Sequence, residues 1–336
     1  MKRDFFDLLC SPAFWAVLAV AASMPLWVPP YYLGIATQTL VFVGLALAWN
    51  IVGGLAGQIS LAHSLFVAIG GLLPSGLLIS FGVNMWAGMA LAALSSAALG
   101  VFIAWVDFRF RLPHLSFALV TLAFAEVGEL VVLGTDFLGG ASGLYLPRDT
   151  GDISIFQFGG SKGYFWVLLS LATICTLANF AIINTRLGYN LRAIRGNEDA
   201  AQAIGIGLFE NKALAMAISA ALTALVGTAW ARYSSFVDPY QFSSPTLTIE
   251  IVLIATIGGL GTPLGPLLAA CLLVPFGEIV RGHLGGVLPG LHSFIYGILI
   301  VVVILLMPQG LVPALLRLRQ RPPTGLKAAT KIVRRP

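Results

Sequence analysis

Apolar runs of near-membrane length recur along the whole chain, and they constrain its fold more than any other feature. They occupy residues 13–30, 33–52, 61–81, 85–106, 115–134, 163–183, 212–232, 246–260, 264–281 and 289–308. A helix needs about 20 apolar residues to cross about 30 Å of hydrocarbon. In lipid each backbone N–H and C=O must be satisfied internally, so such a run folds as a helix. Composition agrees: of 336 residues, 58% are hydrophobic and 10% charged. A water-soluble domain carries about 25% charge, so this chain has too little polar surface to cover itself in water. The predicted fold is an all-α polytopic membrane protein with about ten membrane segments. Segments 61–81, 246–260 and 264–281 are short or interrupted by Gly and Pro. Some of these are expected to be re-entrant or discontinuous rather than simple spans, which is tolerated where protein or water covers the freed backbone groups.

Charge sets the orientation. With the N-terminus inside, alternating spans put 15 of the 19 basic residues on the cytoplasmic side. These run from Lys2 and Arg3 through Arg109, Arg111, Arg186, Arg192, Arg195 and Lys212 to the C-terminal cluster. Arg148, Lys162, Arg232 and Arg281 fall outside. This is the skew of the positive-inside rule, and it implies an N-in, C-in topology. The net charge of +5 thus reads as topology, with no nucleic-acid partner implied. Residues 1–316 are expected to form the transmembrane domain, and 317–336 a basic cytoplasmic tail beside anionic membrane lipid. The N-terminus has the outline of a cleaved signal, but its apolar run continues past Ala21 to Val28, which favours a retained first span. Cys10, Cys175 and Cys271 show no metal or C-x-x-C spacing, and Cys175 and Cys271, inside apolar runs, read as packing residues.

Two polar connections stand out, 135–162 outside and 184–211 inside. The inner one contains "GYNLRAIRGNEDAAQAIGIG" (188–207). Asn197 is a good helix N-cap, and Glu198 and Asp199 follow where the helix dipole favours negative charge. Ala200, Ala203 and Ile204 give a small apolar face, and Gly205 or Gly207 can end the helix. A helix of about two turns is unstable alone and needs a surface to dock against. Arg192 and Arg195 lie just upstream, able to pair with acidic groups. An interfacial helix is the alternative, but its face is narrow and lacks Trp, Phe or Leu anchors. A docking helix for a cytoplasmic partner fits better. A short internal echo joins "GGLAGQISLAH" (53–63) to "GGLGTPLGPLL" (258–268).

Polar residues inside spans mark candidate substrate-path positions. Glu126 falls near the middle of its span, and Glu129 shares its face at i,i+3. A carboxylate there is costly in lipid and should face helices or a cavity. It reads either as a polar wall of the path or as an interhelical hydrogen bonder. Gln58, Ser60, His63 and Ser64 cluster where a chain break meets a span. Half-helix ends coordinate substrates in transporters, whereas the structural reading is a tight helix–helix turn. His114, His283 and His292 lie in other connections, so His63 is not expected to bind metal. Glu250 is expected to be solvated near an outer helix end, and Glu278 to pair with Arg281. The sequence contains no G-x-x-x-x-G-K-[ST], no H-E-x-x-H and no G-x-S-x-G with placed partners, so neither ATP binding through a P-loop nor hydrolytic chemistry is indicated.

Several stretches together resemble one transport family. "DAAQAIG" (199–205) is similar to the E-A-A-x-x-x-G signature of permease subunits of ABC importers, with Asp199 in the Glu place and the later I-x-L-P part absent. "WNIVGGLAGQISLAHSLFVAIGG" (49–71), "TLAFAEV" (121–127), "SAALTALVGTAWA" (219–231), "IGGLGTPLGPLLAA" (257–270) and "MPQGLVPALL" (307–316) keep the order of the LivM type of branched-chain amino acid permease. The resemblance spans about residues 35–316. It implies a subunit in a bacterial inner membrane, working with a LivH-type second permease, two cytoplasmic ABC ATPases and an external solute-binding protein. It also implies that this chain binds no cofactor and that its partners hydrolyse the ATP. ATPase coupling is then expected at Arg192, Arg195, Glu198, Asp199, Ala200, Ala201 and Gly205. The outer motif "GGASGLYLP" (139–147) departs from a family loop that often carries Asp or Asn where Ala141 or Ser142 stands. Branched-chain amino acids are the implied cargo. Urea or short amides are the alternative within the class, and an ATP-independent secondary transporter or channel is the alternative outside it.

Overall fold

The computed structural model describes residues 12–284 together with 294, 295, 297, 298, 301, 305 and 310–312. Its helices are α1 Pro12–Trp27, α2 Pro30–Asn50, α3 His63–Phe81, α4 Met85–Phe110, α5 His114–Leu133, α6 Ser161–Ile183, α7 Arg186–Gly196, α8 Glu198–Ala203, α9 Leu208–Ser234, α10 Pro239–Ser243, α11 Pro245–Gly258 and α12 Gly265–Leu284. Among the described residues, seven helices are long and apolar enough to cross a membrane, and α1 and α11 are shorter apolar helices. Most of the tenth predicted run, 289–308, lies outside the described residues, as do Lys2, Arg3, Cys10, His292 and the tail 317–336.

Local chemistry explains the helix starts. α2 and α11 open on a proline, whose fixed φ and missing N–H suit a first turn. Asn84 caps α4 by accepting from the Trp86 amide at 2.9 Å. Segments 61–81 and 264–281 differ from expectation, since each contains one continuous helix, with Pro74 inside α3 and Pro275 inside α12. Pro74 cannot donate to the carbonyl four residues back. That carbonyl, on Gly70, accepts instead from Thr228 Oγ1 of α9 at 2.6 Å, so the helix runs on. The interruptions fall in the turns before these helices, at 57–62 and 259–264.

The α2 segment is the buried axis of the molecule. Of its most apolar window 94% is buried, against 28% for α4 and for α5. α6, α9, α11 and α12 pack around it, and α9 also lies against α3 and α4. Close approach of α3 and α9 requires Gly70, where a methyl group would overlap the Ala224 carbonyl.

The chain reversals define two ends. One holds α7, α8 and the turns 57–62 and 259–264. Arg109, Arg111, Arg186, Arg192, Arg195 and Lys212 belong to it, and Arg148, Lys162, Arg232 and Arg281 to the opposite end. At that opposite end β1 (Leu144–Tyr145) pairs antiparallel with β2 (Phe236–Val237), Leu144 facing Val237. Trp86 Nε1 donates to Ile153 O at 2.9 Å and Arg232 Nη1 to Pro147 O at 2.8 Å. Partial burial raises the Asp149 carboxyl, but the amide of Gly151, the Tyr164 hydroxyl and the amides of Gly159 and Gly160 outweigh it and hold it below the usual carboxylate range. The predicted outer connection is thus tied down.

Candidate functional site

The inner polar connection is helical nearly throughout. Asn197 caps α8 as predicted, its Oδ1 accepting from the Ala200 amide at 2.9 Å. The helix stops before Gly205, at φ +88°, a left-handed conformation open to glycine. The preceding helix α7 is the element that sequence reading missed. Its buried Gly188, Leu191 and Ile194 are spaced at i,i+3, a signal that was available. α8 docks through Ala201, which is 2% exposed, while Ala200 and Ala203 face outward and Ile204 is 76% exposed. Ala201 therefore belongs to the inner face, not to a partner-facing surface.

The two arginines are committed to their own chain. Arg192 Nε and Nη2 donate to Gly188 O and Ile183 O, both at 3.1 Å, and its guanidinium lies over the Tyr189 ring. It caps the end of α6. Arg195 Nη1 donates to Gly54 O at 2.5 Å. Its side chain fills space that a methyl on Gly57 or Gly261 would need. Neither makes an ion pair among the described residues.

The glycine-rich turns of the internal echo meet beneath Arg195. The first follows a π-helical turn, Ile51–Ala56, that closes on Gly57 at φ +74°. Asn50 lies between the two turns. Its Oδ1 accepts from the Gly261 amide at 3.0 Å, and its Nδ2 donates to Thr262 O at 3.2 Å and Asn179 Oδ1 at 3.0 Å. Trp49 Nε1 donates to Ser60 O at 2.8 Å, and the Leu61 amide to Thr121 Oγ1 at 2.9 Å.

A charged network joins this region to α8. Lys212 Nζ lies 3.0 Å from Asp107 Oδ2 and 2.9 Å from Glu198 Oε2. Asp107 Oδ2 also accepts from Gln58 Nε2 at 2.7 Å. Asp107 and Lys212 are buried, and a cleft of about 230 Å³ beside them is lined by Arg111, Glu198, Asp199 and Gln202 among others. Asp107 was missed because a single Asp near a helix end carries no local pattern. Lys212 was counted only as topology.

Ser60, His63 and Ser64 are all fully buried. Ser219 Oγ donates to Ala48 O at 2.7 Å and lies 2.9 Å from His63 Nε2. The only hydroxyl proton is spent on Ala48, so His63 must donate from Nε2. Its Nδ1 and the Ser64 hydroxyl have no hydrogen-bond partner among the described residues. The Ser64 amide donates to Thr248 Oγ1 at 2.7 Å. Glu126 stands apart from this cluster, on an exposed face of α5 with Val127 and Leu130. Among the described residues no three His, Cys, Asp or Glu side chains gather as a metal site.

The family described as "Branched-chain amino acid transport system / permease component" matches residues 31–304. The high-affinity branched-chain amino acid transport system permease proteins LivM of Salmonella typhimurium and Escherichia coli are each 29% identical to this chain over 321 residues. Each alignment covers 89% of this chain and 74% of the relative. No solved structure matches the chain.

Proposed function

We propose a transport function from one premise: the chain belongs to the family of permease components of branched-chain amino acid transport systems. It is a multi-pass membrane subunit of an ATP-driven importer that moves branched-chain amino acids across a bacterial inner membrane. The α7–α8 end faces the cytoplasm, as the positive-inside rule favours. There α8 presents Ala200, Ala203 and Ile204 to one of two separate ATPases, which supply the ATP hydrolysis. A LivH-type permease completes the path, and an external solute-binding protein delivers the cargo.

The observation that carries this reading is the double link from the docking element into the spans. Glu198 reaches Gln58 through Lys212 and Asp107, and Arg195 reaches both glycine turns. A displacement of α7–α8 therefore acts on the turns that begin α3 and α12. That is the rigid-element motion alternating access needs. Gln58, Ser60, His63 and Ser64 act at this hinge beside the path. Glu126 faces the second permease or the path, because a mid-span carboxylate is expensive in lipid.

Mild-detergent purification of the tagged chain from its host, with mass spectrometry of what accompanies it, tests the reading. Recovery of a second permease and two ATPases is expected, and the accompanying binding protein should take leucine, isoleucine or valine rather than urea. Recovery of this chain alone, from a lysate where those ATPases are present, would sink the coupling assignment.

A further inference from the structure

The end opposite α7–α8 holds a polar feature that the coupling contacts leave unused. An open cleft of about 340 Å³ lies where α2, α9, α10, α11 and α12 meet, at the small end of the roughly 300–1,000 Å³ of small-molecule sites. Gln38 sits roughly 12 Å along α2 from Pro30 at the helical rise, so the cleft enters the helix bundle. Phe42, Trp230 and Leu247 give it an apolar floor. Its walls carry Glu250 on α11 and the Glu278–Arg281 pair on α12.

These polar groups are underused. Half-buried Glu250 is within electrostatic reach of Arg281 and Glu278 but has no hydrogen-bond partner among the described residues. The side-chain amides of Gln38 and Gln241 are also without partners among the described residues. Arg281 and Glu278 meet at 3.4 Å on an exposed face, a pairing of little worth. A partly desolvated carboxylate calls for a cation, and a guanidinium takes a carboxylate through two parallel bonds. A cation would satisfy Glu250 alone, whereas a zwitterion also gives Arg281 a carboxylate in place of its loose contact with the partly exposed Glu278.

We propose that this cleft is an entry site for an apolar α-amino acid, with Glu250 facing the ammonium group and Arg281 the carboxylate. Gln38 and Gln241 serve the remaining polar atoms, and the aliphatic side chain lies on Trp230 and Leu247. The proposal rests on the transport reading above and adds the substrate's place on this chain.

The assembled transporter in proteoliposomes, with its binding protein and radiolabelled leucine, provides the test. Glu250→Gln and Arg281→Gln should each raise the ATP hydrolysed per leucine moved by about tenfold, as expected for one unpaired charge. Glu250→Asp, which keeps the charge, should recover most of that loss. If Glu250→Gln does not assemble, Gln38→Ala carries the same prediction at smaller size. Wild-type behaviour in both Gln variants would overturn the site. So would a raised KM for the loaded binding protein at unchanged ATP per leucine, which would assign the cleft to docking that protein. A wild-type complex that hydrolyses ATP but moves no leucine, isoleucine or valine would overturn the transport reading itself, and the site with it.

Discussion

Lys212 shows how one side chain decides whether a polar site inside an apolar bundle is tolerable. Asp107 is 2% exposed, and an unpaired carboxylate at such a position is strongly disfavoured. The ammonium group 3.0 Å away and the Gln58 amide at 2.7 Å compensate it. Glu198 is more exposed and can be solvated when its partner leaves. Removing Lys212 alone should therefore cost far more than removing both partners. Lys212→Met is expected to destabilise the detergent-solubilised chain by about 3–5 kcal/mol, the range for breaking a buried pair. Adding Asp107→Leu should restore most of that loss. Unfolding measured for the two single variants and the double variant gives the coupling directly. A loss below about 1 kcal/mol in Lys212→Met would mean a solvated pair of surface strength, and the network could not transmit force.

At the scale of an element, α8 separates docking outward from docking inward. It is too short to persist unless packed, and Ala201 supplies the contact with its own chain. Ala200 and Ile204 point away. Ala200→Arg combined with Ile204→Arg should leave insertion and unfolding unchanged and weaken recovery of the ATPases by roughly tenfold or more, as for loss of an interface anchor. Ala201→Arg should instead destabilise the permease itself. If the outward pair bound ATPase normally, α8 would not be the docking element. Much of this was legible in the sequence, because its causes are local. The apolar runs, the Asn197 cap and the glycine stops each follow from neighbouring residues. The face of α8 that docks depends on α7 and on the chain entering α9, so Ala201 was grouped with the wrong side. The linking contacts were illegible for the same reason. Gln58 and Asp107 are 49 residues apart, Lys212 and Asp107 105, and Arg195 and Gly54 141, with no periodicity connecting them. Arg195 read as a cation able to pair with acidic groups, because a carbonyl acceptor such as Gly54 O leaves no mark in sequence.

The whole molecule works as one device only if its two glycine turns move together. Asn50, at the end of α2 just before the first turn, bonds directly to the second, and Arg195 rests on both. α2 ends at the first turn and α11 at the second, so both lead into the buried axis of the bundle. A push on α7 need not travel through the long spans as a continuous deformation. It can switch the pairing of two turns, and packed interfaces favour discrete states over gradual ones. Arg195 is then the positioning residue that reports the state of α7 to the turns. Arg195→Met keeps the stem that packs on Gly57 but loses the bond to Gly54 O. It should still copurify with the ATPases. Hydrogen exchange at 57–62 and 259–264 is the observable, compared with and without ATPase and a nonhydrolysable nucleotide. The wild type should change protection in both turns together. In Arg195→Met the change should fall by a factor of about five or more, the lower end of typical coupling energies, while that at α8 persists. Equal responses in the two proteins would place the transmission entirely in the Glu198–Lys212–Asp107 network and reduce Arg195 to a packing role.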